Sequence, residues 1–245
     1  MTHDNSNKAP IILAIETATE ACSAALAIGD KIITRFEIAP REHTKRIFNM
    51  MDDVLAQAGV KLAQVDAVAF SRGPGAFTGV RIATGVAQGV ALSIDKPLLP
   101  ISTLAAIAQQ MQEEQGAEHC LPALDARMGE VYWGTYSIKN GLMVLKGIET
   151  VNIPDVLQLA ILLSPEARIE WVAAGSGWDA YEQQLTLDHS DNVKKIDNIL
   201  PSAHYIARLA IRDYQEGKAV SAEQAQPIYL RDKIAQTIAE RSASK

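Results

Sequence analysis

SRGPGAFTGVRIATGVAQGVALSI, residues 71 to 94, is the stretch from which the rest of the chain is read. A short apolar run, Val65–Phe70, leads into it and predicts a strand. Gly73, Pro74 and Gly75 then predict a tight turn, with Thr78 as N-cap and a helix from Gly79 to about Ser93. No charged side chain occurs between Ile82 and Ile94. A helix apolar all round is buried on more than one side. Gly85 and Gly89 lie in its interior, where each costs about 1 kcal/mol relative to alanine. Small residues recur at Gly79, Ala83, Ala87 and Ala91 on one face, with Gly85 and Gly89 on another. Such a surface suits close backbone approach, so the helix is expected to pack on its own sheet and on a second neighbour.

Outward from this block the chain describes one unit twice. Ile11–Glu16, Cys22–Ile28 and Lys31–Ile38 read as strands, the last two joined by a Gly29-Asp30 hairpin turn. An amphipathic helix follows from about Glu42 to Ala58, striped by Ile47, Met50, Met51, Val54, Leu55 and Ala58 and closed by Gly59. After the glycine block come a strand over Lys96–Ile101 and a helix over Thr103–Glu114. The second half repeats the order: strands at Leu121–Asp125, Glu130–Ile138 and Leu142–Val151 around an Asn140-Gly141 turn, then a helix from Pro154 to about Leu163. A strand at Ile169–Ala173, a turn at Gly175, Ser176 and Gly177, and a helix over Trp178–Leu187 complete it. A last helix, Ser202–Glu216, opens on the N-cap Ser202. The order predicts an α/β protein of two ribonuclease-H-like lobes, each a mixed sheet flanked by helices. The expected divisions are a tail over residues 1–8, an N-terminal lobe over 9–103, a second lobe over 104–200, and a C-terminal helix and tail over 201–245 that pack back across the lobes.

Composition limits the function classes. Of 245 residues 48% are hydrophobic and 21% charged, as in an ordinary globular chain. A net charge of −6 and a pI near 5.4 argue against a dedicated nucleic-acid surface. Cys22 and Cys120 fit neither a metal spacing nor a disulfide framework and read as reduced thiols of a cytoplasmic protein. No apolar run reaches the roughly 20 residues of a membrane helix, and the polar start, Met1–Pro10, does not read as a signal peptide.

The chemistry-bearing motifs are sparse. A glycine turn at a helix N-terminus favours anions, but GPGAFTG lacks the Gly-Lys-Ser/Thr ending of a P-loop, and a tight structural turn explains it as well. Gly175-Ser176-Gly177 carries the same two readings. His3, His43, His119, His189 and His204 are not spaced as metal ligands, and no nucleophile elbow or Cys/His pairing is present. Asp125, Arg127 and Glu130 cluster at a hairpin facing the expected interlobe cleft, where they either contact a ligand or pair with one another.

Four blocks, ILAIETATEACSAAL at Ile12–Leu26, SRGPGAFTGVRIATGVAQG at Ser71–Gly89, DARMGEVYWGTY at Asp125–Tyr136 and PIYLRD at Pro227–Asp232, closely resemble the TsaB (YeaZ) family of bacterial tRNA threonylcarbamoyladenosine biosynthesis proteins. The likeness spans nearly the whole chain. It implies the actin-like, sugar-kinase-like ATPase superfold, in which Glu16, at the end of the first strand, stands where a metal- or phosphate-positioning carboxylate is found. The related catalytic subunit TsaD carries a metal-binding His-x-x-x-His. In the matching segment Pro97–Ile107 this sequence has Thr103 and Ile107, which cannot replace two imidazoles. TsaD's second-lobe phosphate loop is here Asp125–Gly129. The resemblance therefore implies a non-catalytic scaffold with no metal and no resident cofactor. At most it leaves weak ATP or ADP binding, with Gly175 and Gly177 as a remnant adenosine shelf. It implies that TsaD is bound through the N-lobe helices, by Ile47, Met50, Met51, Val54, Gly79, Ala83, Val86, Ala87 and Val90. It further implies TsaE in a ternary complex, a homodimer when the chain is alone, and tRNA contact only through the complex. A stand-alone ATP-dependent phosphotransferase or peptidase of the same superfold is the enzyme alternative.

Overall fold

The computed structural model describes residues 9–155, 169–185 and 192–231. Its first sheet is built from β1 (Ile11–Glu16), β2 (Ala21–Ile28), β3 (Lys31–Ile38), β4 (Ala67–Ser71) and β5 (Leu98–Ile101), in the spatial order β3-β2-β1-β4-β5. β1, β2 and β3 pair antiparallel, while β4 and β5 join β1 in parallel. All of β1 is buried, because helices cover both faces of the sheet. Its alternation sorts the two sides. Ile11, Leu13 and Ile15 enter the core with α1 (His43–Ala58) and α2 (Phe77–Ile94), whereas Ile12 and Ala14 face a helix from near the C-terminus. That second face is mostly alanine (Ala14, Ala25, Ala27, Ala67, Ala69), and Ala203, Ala207 and Ala210 of the covering helix meet it, so the two backbones come close.

The second sheet repeats the plan with β6 (His119–Arg127), β7 (Glu130–Lys139), β8 (Leu142–Asn152), β9 (Trp171–Ala174) and β10 (Val193–Ile196), in the order β10-β9-β6-β7-β8. α3 (Thr103–Gln115) links the halves and lies on this sheet, burying Leu104, Ile107 and Met111 against Cys120, Tyr136 and Val172. After β9 come two short helices, α4 (Ser176–Ala180) and α5 (Glu182–Leu185). The last described helix, α6 (Ala203–Gln215), covers the alanine face of the first sheet and also meets α3, through Tyr205 to Glu114 and Arg208 to Glu113.

Four expectations from sequence need correction. Thr78 is not the N-cap of α2; Ala76 is, and Thr78 lies exposed inside the first turn. Contacts with the chain just after β1 hold the start of this helix instead of a capping side chain. The Ala76 N–H donates to Ala18 O (2.7 Å), and Thr17 Oγ1 donates to Gly79 O (2.7 Å), tying the turn to the end of β1. The single helix expected over Trp178–Leu187 is broken at Tyr181, where the backbone leaves helical geometry (φ −124°) and the phenol donates to Asp125 Oδ1 (3.1 Å); its last two residues lie outside the described ones. β10 carries no strand signal in the sequence, because VKKI has two lysines and no alternation strong enough to mark one. The helix expected from Pro154 to about Leu163 and the tail Met1–Lys8 fall largely or wholly outside the described residues. Nor do most of the residues expected to meet a partner lie on the surface: all but Val86 are buried.

Candidate docking surface

α1 and α2 lie side by side on one face of the first sheet. In α1 the stripe runs as the helical period requires, but it points inward. Ile47, Met50, Met51 and Val54 are buried in the chain's own core. On α2, Gly79, Ala83, Ala87 and Val90 are buried as well. Only Val86 among the residues expected at a partner contact is partly exposed. The reason is that one sheet needs both stripes to cover it, and the small residues Ala83 and Ala87 are what let α2 sit close. Gly79 is the tightest point: a Cβ there would stand 2.1 Å from Thr17 O.

What α1 and α2 leave open is a groove of about 390 Å³ between them, walled by Phe48, Met51, Leu55, Val86 and Val90 and floored by Gly85 and Gly89. Nothing lies within 4 Å of a Cβ placed on either glycine. Phe48 is 50% exposed on one rim and Leu92, further along α2, is 63% exposed. α2 does have a second neighbour within the chain on its other flank. Gln88 Nε2 donates to Ala222 O and Ala225 O, both at 2.9 Å, and Val220 and Ala222 pack against the same core. Sequence periodicity separates two small-residue faces on α2; it does not say which one the sheet takes.

The segment carrying the PIYLRD block runs over the N-terminus of α2. The Ile228 N–H donates to Arg72 O (2.8 Å), and Tyr229 packs near Phe77 with the Arg81 guanidinium over both rings, 3.2 Å and 4.9 Å from their centroids. Two residues on, Arg231 reaches the β6–β7 hairpin and pairs with Glu130. Within that hairpin Arg127 donates to Asp125 Oδ2 (2.8 Å). The Asp125, Arg127 and Glu130 group is thus a set of paired charges.

The positions set against the catalytic histidines are both fully buried. Ile107 belongs to the core between α3 and the second sheet, and the Thr103 hydroxyl has no partner. Among the described residues no three His, Cys, Asp or Glu side chains cluster as metal ligands. Gly175 (φ 103°) and Gly177 are pressed against β6, where an added Cβ would stand 2.4 Å from Ala123 O and 3.0 Å from Ala123 C. The room these glycines leave is taken by the chain itself. Glu16 is fully buried at the carboxyl end of β1. One carboxylate oxygen accepts the Ala18 N–H and the other has no partner, and burial pushes its pKa up to about 7.

Two mixed sheets of like topology, each with a central strand between one antiparallel and one parallel neighbour, make this an α/β protein of two like lobes. A family model described as TsaD, tRNA N6-adenosine threonylcarbamoyltransferase, matches residues 31–239. Relatives named tRNA threonylcarbamoyladenosine biosynthesis protein TsaB include that of Escherichia coli (strain K12), 41% identical over 91% of this chain and 96% of its own. Another is that of Haemophilus influenzae, 39% identical over 91% of this chain and 94% of its own. The solved structure of YeaZ from Pseudomonas aeruginosa superposes with a TM-score of 0.82 at 43% identity, covering 90% of this chain and all of that one. The chain belongs to the TsaB family.

Proposed function

We propose that this chain is the non-catalytic, activating subunit of the machinery that places a threonylcarbamoyl group on the tRNA adenosine beside the anticodon. In this reading it works in the cytoplasm and docks the TsaD-type catalytic subunit through the outer faces of α1 and α2. The observation that carries the reading is the open groove: an apolar channel floored by two glycines, on a helix with no charge from Ile82 to Ile94. A helix interior otherwise disfavours glycine, and soluble chains avoid leaving contiguous apolar surface in water. Both are accounted for when helices of a partner press onto Gly85 and Gly89. The lobes of TsaD and this chain share one fold, so a pseudo-two-fold four-helix contact satisfies either partner, and a second copy of this chain takes the place when TsaD is absent. TsaE joins the pair as a third component. With Thr103 and Ile107 at the histidine positions and Ala123 against the Gly175–Gly177 turn, the chain itself supplies neither a metal nor a strong nucleotide site.

The test uses two arginine substitutions. Gly89→Arg is expected to fold, because its Cβ meets open space, and to lose copurification with TsaD, since an unpaired charge buried at the contact costs several kcal/mol. Ala87→Arg, buried in the chain's own core, is expected to unfold the monomer. A folded Gly89→Arg protein that still copurifies with TsaD and still self-associates removes the groove from the interface.

A further inference from the structure

After Val220, which pairs with Leu98 of β5, residues 221 to 231 contain neither helix nor strand and run from the first lobe to the second. They start along the flank of α2, where Gln88 donates to the carbonyls of Ala222 and Ala225. They then cross the Gly-Pro-Gly turn, and Gly73 leaves the room for this: a Cβ there would stand 3.1 Å from Ile228 O. Beyond Tyr229 the segment leaves the first lobe. The Arg231 side chain, 18% exposed, donates to Glu130, to Arg127 O (3.4 Å) and to Met128 Sδ (3.7 Å) at the tip of the β6–β7 hairpin. Among the described residues, every hydrogen bond and ion pair reaching this tip from outside the second lobe comes from Arg231. Elsewhere the lobes meet through Arg72, 3.7 Å from Glu149 of β8, whose Oε1 accepts the hydroxyls of Ser102 and Tyr136, and through α3 against α6. Of residues 221 to 231 only Ala225 is buried. The segment is therefore held by a few polar and ring contacts, and it can lift without disturbing either core.

We propose that residues 221 to 231 form a strap that latches the two lobes together, from the carboxyl end of β4 to that of β6. The stack of Phe77, Arg81 and Tyr229 is its anchor, and the Arg231–Glu130 pair is its catch. Two-lobed proteins commonly close around a ligand held between the lobes. Here a side chain of the chain itself makes the closing contact, so the angle between the lobes is set by the strap. The catch is the weaker end. It rests on one charge-assisted pair, whereas the anchor adds the Ile228 N–H on Arg72 O to the ring contacts. Opening needs only that pair to part. The device belongs to the chain alone and does not depend on the partner role.

Single-molecule energy transfer on the full chain tests this, with dyes on Glu20→Cys and Ile148→Cys, exposed positions on the two lobes. The native Cys22 and Cys120 are buried and leave the dyes to the introduced sites. Picomolar concentration keeps each chain apart from other copies. The parent is expected to give one narrow distribution of transfer efficiency. Arg231→Gln, Glu130→Gln and the two together are each expected to raise the fraction of open molecules by a common factor, about tenfold, because all three remove the same contact. Arg127→Gln, whose side chain pairs with Asp125 inside the hairpin, is expected to leave the distribution unchanged. Circular dichroism checks that each variant is folded, and Glu130→Gln carries the test if Arg231→Gln is not. The proposal is overturned by a broad distribution in the parent, by unchanged distributions in the folded catch variants, by single effects that multiply in the double variant, or by an equal effect of Arg127→Gln.

Discussion

Replacing Glu16 by glutamine tests how the end of β1 is paid for in free energy. Glu16 is fully buried, and desolvation is the largest influence on its carboxyl, outweighing the N–H of Ala18, which favours the charged form. Its pKa rises from 4.5 to about 7. Between those two values the folded chain keeps a proton that the unfolded chain has released. Stability therefore falls as pH rises through the window. The contribution is complete below pH 4.5 and gone above about 7. At about 1.4 kcal/mol per pH unit the whole window is worth about 3 kcal/mol. Glutamine keeps an acceptor for the Ala18 N–H, presents a neutral amide in place of the second oxygen, and does not titrate. Urea unfolding followed by tryptophan fluorescence, for both proteins at several pH values from 4.5 to 8, gives the comparison, since every other titrating group cancels in the difference. The stability of Glu16→Gln relative to the parent should rise by about 3 kcal/mol across this range. A difference that stays constant with pH, or that falls as pH rises, refutes the reasoning: Glu16 is then charged in the folded chain and compensated there.

The glycines of α2 should separate cleanly in the same assay. Gly79→Ala is expected to cost about 3 kcal/mol, because its Cβ would stand 2.1 Å from the Thr17 carbonyl oxygen. Gly85→Ala is expected to stabilise the isolated chain by about 1 kcal/mol, since nothing lies within 4 Å of its Cβ; equal effects at the two sites would contradict the placement of α2. For nucleotide, calorimetry on the isolated chain should show no micromolar ATP or ADP binding, given that Ala123 fills the space at Gly175 and Gly177. Micromolar affinity would restore the adenosine shelf.

The sequence by itself determined whatever depends on neighbours close along the chain. The uninterrupted apolar run of Ile11–Glu16 marks a strand covered on both faces, and the helical stripe of α1 ends where Gly59 turns left-handed (φ 66°). The Asn140-Gly141 turn and the Ser202 cap are equally local, and the repeated order of such elements was enough to expect two like lobes. The family likeness, too, rests on contiguous blocks. Tertiary structure decided what depends on residues far apart. Gly79, Gly85 and Gly89 are chemically one residue on one helix. Only the approach of Thr17, 62 positions away from Gly79, makes the first a packing necessity, while the other two face open space. The stripe Ile47, Met50, Met51 and Val54 is an apolar face in sequence, and a core or a docking surface fits it equally well until the sheet claims it. The same holds between the lobes. Arg72, Ser102, Tyr136 and Glu149 come from four separate elements and carry no shared spacing, so their cluster exists only once the second sheet folds over the end of the first. Hydrophobic period and turn chemistry act within a few residues. Which faces are left over, and which polar groups lack partners, is settled by how the packed elements divide the surface among themselves.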